Sequence, residues 1–120
     1  MNWYKKAESR IRLWLDDDRD PKNPKTQELF GAKGDEIWVK TQKETIEYLK
    51  TNNVVSISFD NDLGKLEEVG EGYGVAKWIE EMAYLGKINK LDWNIHTKNC
   101  SKEPQIRMAM MNADKFWSKA

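Results

Sequence analysis

Cysteine is almost absent from this chain. Cys100 stands alone in 120 residues, so no intrachain disulfide can staple the fold. A reducing cytosol is the natural compartment for such a sequence. An excess of either charge is missing too: Lys+Arg and Asp+Glu are 20 each, and the formal net charge is zero. That excludes a general nucleic-acid coat, whose affinity rests on surplus positive charge. It leaves room for a small phosphate-bearing substrate in one local pocket. No apolar run approaches the roughly 20 residues that a transmembrane helix needs. The opening Met1-Asn2-Trp3-Tyr4-Lys5-Lys6 has no apolar stretch of the signal-peptide kind. The expectation is a soluble, cytoplasmic protein with no membrane partner. Internal repeats and low-complexity tracts are lacking as well.

What is present fits one domain over residues 1–120, with its core at about 10–118. Apolar residues make up only 39%, but six tryptophans add large buried area per residue, which favours a folded chain. Ile11, Leu13 and Leu15 alternate as in a strand with one face in a core, and Trp14 implies that the other face is partly covered. Residues 19–35 carry Pro21, Pro24, Gly31 and Gly34 and read as a long surface loop, with a short helical turn at Thr26–Phe30. Glu36–Val39 is a second strand. Thr41 and Glu44 have the spacing of a capping box, opening a helix to about Lys50. Val54–Phe59 is a β-branched strand. A glycine-bearing loop is expected from Gly64 to Gly74. Val75, Trp78, Ile79 and Met82 then mark an amphipathic helix that Gly86 stops. Leu91–Ile95 is the fourth strand, and Ile106, Ala109, Met110, Ala113 and Trp117 mark a last helix. Trp78, Met82, Met110 and Trp117 are expected in the core. Alternating strands and helices predict an α/β fold: one open parallel sheet of about four strands with flanking helices.

Parallel strands bring their carboxyl ends to one edge, where open α/β sheets bind ligands. Three strands here end in polar clusters: Asp16-Asp17-Asp18-Arg19, Asp60-Asn61-Asp62 and His96-Thr97-Lys98-Asn99. Singly, each is an ordinary turn. Gathered, the carboxylates repel unless a cation or a shared proton compensates them. Asp16, Asp17, Asp60 and Asp62 are therefore candidate ligands of a divalent metal, Mg²⁺ first and Mn²⁺ second. Arg19, Thr97, Lys98 and Asn99 are candidate phosphate binders. His96 is a candidate general acid or base, and Asp60 is either a further ligand or a nucleophile.

The segments Leu13–Pro21, Ile57–Gly64, Gly72-Tyr73 leading into 75–80, and Ile95–Asn99 together resemble the cyclic-phosphate-processing receiver-like family. That family is related to the CheY-like receiver domains of response regulators. The resemblance spans about residues 10–118. It implies a receiver (flavodoxin)-like fold and a substrate that is a cyclic phosphate of nucleotide or RNA origin. It also implies that Asp16 and Asp17 are the metal-holding acidic pair and that Asp60 stands at the phospho-acceptor position. Thr97 lies near the receiver hydroxyl position, and Arg107 matches the family's arginine. A fifth strand and the lysine that follows it have no counterpart here, though Lys98 or Arg107 can substitute for that lysine. Three functions are open. The first is a metal-dependent phosphoesterase. The second is a non-enzymatic receiver-like module that senses phosphate or metal and relays it to a protein partner. The third is a small interaction or inhibitor protein that keeps this edge without chemistry and meets its partner through exposed tryptophans.

Overall fold

Each strand forms where alternation predicts one. The computed structural model describes residues 10–60, 71–96 and 103–119. Along the chain run β1 (Arg10–Leu15), α1 (Pro24–Phe30), β2 (Ile37–Val39), α2 (Gln42–Thr51), β3 (Asn53–Phe59), α3 (Glu71–Tyr84), β4 (Asp92–Ile95) and α4 (Glu103–Ser118). The strands form one sheet in the order β2-β1-β3-β4. All three neighbouring pairs are parallel. This is the receiver-like α/β arrangement, and the carboxyl ends of the strands share one edge.

Helices α2, α3 and α4 cover one face of the sheet, and the short α1 lies on the other with the β1–β2 connection that carries it. Leu13 and Leu15 of β1 and Ile57 and Phe59 of β3 join Leu49 of α2, Val75 and Ile79 of α3 and Ile106 and Met110 of α4 in one core. Burying each large aliphatic or aromatic side chain there contributes roughly 1.5–3 kcal/mol. Met82 and Met110 are in this core, and Trp78 and Trp117 pack against it partly buried. The opposite face carries Trp14, Ser56, Ser58 and Asn94. It is overlaid by the β1–β2 connection, whose Gly31, Lys33 and Glu36 help enclose a cavity of about 210 Å³ against the sheet. Trp14 is only 2% exposed, as a covered second face requires.

Local signals place the helix ends. Asn23 caps α1 by accepting the Lys25 N–H, and Pro24 follows at the first turn, where its missing N–H is harmless. The Thr41 hydroxyl accepts the Glu44 N–H at 3.1 Å, the expected half of the capping box. The Glu44 carboxylate reaches back one residue further than expected, to the Lys40 N–H at 2.9 Å.

One expectation needs correction. Gly72 and Gly74 lie inside α3, whereas the glycine spacing predicts loop as far as Gly74. These glycines answer to crowding rather than to turn geometry. A Cβ on Gly72 would stand 2.8 Å from the Asp60 carbonyl oxygen, and one on Gly74 would run into the Gln42 side chain. The last helix likewise begins at Glu103, before the Ile106 that announces it in the sequence.

Candidate metal and phosphate site

The site is built by sheet register. Leu15 pairs with Phe59, and Phe59 pairs with Ile95. The ladder then runs one residue past the strands. Asp16 N–H donates to the Val39 carbonyl at 3.0 Å, Asp60 N–H to Leu15 at 2.8 Å and His96 N–H to Phe59 at 2.9 Å. Asp16, Asp60 and His96 therefore stand in one row. Because side chains alternate along a strand, that row shares a face with Trp14 and Ser58.

All three side chains are buried, and one donor atom from each lies within 4.8 Å of the others. Asp16 Oδ1 accepts the N–H groups of Asp18 at 2.9 Å and Arg19 at 3.0 Å, which folds the chain after β1 into a tight turn. Two indoles brace that turn. Trp38 Nε1 donates to the Asp16 carbonyl at 2.6 Å, and Trp14 Nε1 donates to the Arg19 carbonyl at 3.0 Å. His96 Nε2 meets Asp16 Oδ2 at 3.0 Å. Its Nδ1 meets Ser58 Oγ at 2.7 Å. The imidazole stacks on Trp14, with centroids 3.8 Å apart and planes 9° from parallel.

Charge at the site follows from burial and these bonds. Burial pushes the Asp16 carboxyl upward, but the hydrogen bonds from His96, Asp18 and Arg19 outweigh it and leave the group below its ordinary range. Burial lowers His96, against the pull of Asp16, and the net shift is downward. At neutral pH the pair is therefore an ionised carboxylate and a neutral imidazole. A carboxylate only accepts, so the single ring N–H sits on Nε2 and donates to Asp16. Nδ1 then accepts the Ser58 hydroxyl.

The donor set suits a divalent cation. Two oxygens and one imidazole nitrogen are common ligands. Donors on opposite sides of an ion bound at about 2.1–2.2 Å stand roughly 4.3 Å apart, a spacing these side chains reach with small adjustment. A cationic group of the protein's own already faces the carboxylates. Arg19 Nη1 lies 3.7 Å from Asp16 Oδ2 and 3.6 Å from Asp60 Oδ2, and its guanidinium rests 4.3 Å above the Phe30 ring. The charge compensation that the acidic clusters demand is thus partly internal.

The sequence candidates divide as follows. Asp16, Asp60, His96 and Arg19 come together. Asp17 is exposed and outside the converging set. Arg107 lies on α4, where its guanidinium bonds Glu103 at 2.5 and 3.1 Å. Asp62, Thr97, Lys98 and Asn99 lie outside the described residues. Sequence reasoning missed Ser58, Trp14, Trp38 and Phe30 as site residues. Two of these were within reach: Trp14 and Ser58 each stand two positions before a site aspartate, so strand alternation puts them on its face. Phe30 and Trp38 arrive from the β1–β2 connection and a neighbouring strand, and no local pattern marks them.

Residues 11–112 match the model of the cyclic-phosphate processing receiver domain family. No curated protein and no solved structure matches the chain. With nearly its whole length matched, the chain belongs to that family.

Proposed function

We propose that this member of the cyclic-phosphate processing receiver domain family is a metal-dependent phosphoesterase that opens a small cyclic phosphate or an RNA cyclic-phosphate end. One observation carries the reading: Asp16, Asp60 and His96 bury three convergent ligand atoms at the ligand-binding edge of a parallel sheet. Asp16 and Asp60 would hold the cation, with His96 Nε2 as the nitrogen donor. Enclosure of the His96 side chain, and engagement of both its ring nitrogens, favour this ligand role over the acid–base role expected from its ordinary pKa. A divalent ion there supplies Lewis-acid polarisation of a phosphoryl oxygen and eases deprotonation of water. Water adds to phosphorus, the endocyclic P–O bond breaks, and a phosphomonoester with a free hydroxyl results. Arg19, once it leaves the carboxylates, would take the phosphate oxygens, with Lys98 and Asn99, which lie outside the described residues, as the further phosphate binders expected from the sequence. Trp14, Phe30 and Trp38 keep bulk water from the ligand row.

The nitrogen donor shifts the metal preference. Mg²⁺ prefers oxygen ligands alone, whereas Mn²⁺ accepts an imidazole more readily. The expected order of activation is Mn²⁺ above Mg²⁺. The test is hydrolysis of 2′,3′-cyclic nucleotides and cyclic-phosphate RNA ends with each ion, with EDTA and with Asp60→Asn. Turnover that needs the ion and falls at least about 100-fold in the variant supports the reading. Turnover that survives both EDTA and Asp60→Asn sinks it.

A second reading rests on Arg19. Its guanidinium compensates both carboxylates without any added ion. A module that exchanges this internal ion pair for a metal or phosphate, and relays the change to a protein partner, would need no turnover. Trapping Asp60 with acetyl phosphate or beryllofluoride, with no hydrolysis across the panel, would favour it.

A further inference from the structure

Ser58 has no part in the reading above, yet it holds the far side of the one imidazole in the chain. It sits one residue before the end of β3, half-buried, and opens onto the cavity lined by Trp14, Lys33 and Asn94. Without a cation, Nε2 carries the ring proton and Asp16 accepts it, so Ser58 must donate to Nδ1. A cation at Nε2 needs the lone pair there, so the ring proton must stand on Nδ1, and Ser58 must then accept. Only a group that both donates and accepts serves both states. A hydroxyl does so by rotating about its C–O bond.

We propose that Ser58 is a positioning residue that selects the His96 tautomer, donating to Nδ1 in the metal-free protein and accepting from it when a cation takes Nε2. The imidazole is neutral in both states: one proton leaves Nε2, one arrives at Nδ1, and the ring charge does not change. Trp14 stacking holds the ring in plane, so the exchange needs no rotation of the imidazole. The Ser58 hydroxyl hydrogen turns from the ring toward the cavity, so the cavity wall registers occupancy of the strand-edge site. Outer partners of this kind change metal affinity by about 10–100-fold.

This inference rests on the cation-site reading, and the experiment separates their failures. The probe is Zn²⁺ alone, which is diamagnetic. The readout is long-range ¹H–¹⁵N correlation of the imidazole in untagged, ¹⁵N-labelled protein, where His96 is the sole histidine. The metal-free protein should have the proton on Nε2, and Zn²⁺ should move it to Nδ1. Ser58→Ala should weaken Zn²⁺ binding at least about tenfold with the chain still folded by amide dispersion. Ser58→Thr, which keeps the hydroxyl, should restore affinity and tautomer. A metal-free protein with the proton on Nδ1 overturns the role of Ser58, as does a Ser58→Ala variant that binds Zn²⁺ like the parent. Zn²⁺ that fails to bind, or binds without changing His96, overturns the cation-site reading and the switch with it. If Ser58→Ala does not fold, failure of Ser58→Thr to bind Zn²⁺ like the parent overturns the role.

Discussion

Arg19 stands where an incoming cation would have to go. Its Nη1 faces Asp16 Oδ2 and Asp60 Oδ2 at nearly equal distance, so ion and guanidinium compete for the same oxygens. Arg19→Gln should tighten Mn²⁺ binding severalfold by calorimetry. The same change should destabilise the metal-free protein by about 1–2 kcal/mol in urea. That is less than the loss on breaking a fully buried pair, because Arg19 is partly exposed. His96 makes a second prediction. Its folded-state pKa is depressed by burial, whereas the unfolded chain protonates near 6.5. The unfolded state therefore binds the extra proton first as pH falls. Stability should be at its full value above about pH 7, and decline as pH drops through 6.5 toward the lower folded pKa. Urea midpoints between pH 7.5 and 5.5 should trace that decline, and His96→Asn should flatten it. Asp16, also depressed, contributes stability that is lost only at lower pH, as the carboxyl protonates below its ordinary range.

Two glycines of α3 invite a paired test. Alanine is the better helix former by roughly 1 kcal/mol at an interior position. At Gly72 that gain meets backbone, since a Cβ would press on the Asp60 carbonyl and displace the residue that carries the site. Gly72→Ala should lower stability by about 1–3 kcal/mol, as overpacking does, and weaken cation binding. At Gly74 the obstacle is the Gln42 side chain, which can swing aside. Gly74→Ala should be neutral or stabilising by up to about 1 kcal/mol. Urea denaturation of both variants checks the contrast. The strands and helix faces were legible because burial on one side leaves a period of two or near 3.6 in the sequence. Leu13 and Leu15, and Ile57 and Phe59, follow it, while Val54 joins the core out of step, where the β1–β3 register shifts. The start of α3 was not legible. A glycine selected for close approach looks, in one dimension, like a glycine selected for a turn.

For the molecule as a whole, the site and the fold are coupled through the strand ends. A cation that binds only the folded chain stabilises it by mass action, about 2.7 kcal/mol at a concentration 100 times its Kd. Mn²⁺ should therefore raise the urea midpoint of the parent protein, and Asp60→Asn should abolish the increment. An equal rise in the variant would locate the ion elsewhere. No helix among the described residues is long and apolar enough to cross a membrane. The sequence alone was sufficient for the parallel α/β plan, the single core and the edge at which polar residues collect. All three follow from hydrophobic period and from the strand–helix alternation that parallel pairing requires. Only the tertiary structure could choose among the acidic residues at that edge. Register carries Asp16, Asp60 and His96 into one buried row, while Asp17, one residue on in the turn that Asp16 ties, is exposed and outside that row. Arg19 is folded back onto its neighbours' carboxylates by a turn that Asp16 itself ties. Those choices depend on one-residue register and on contacts between strands distant in sequence, and neither is written in the local pattern.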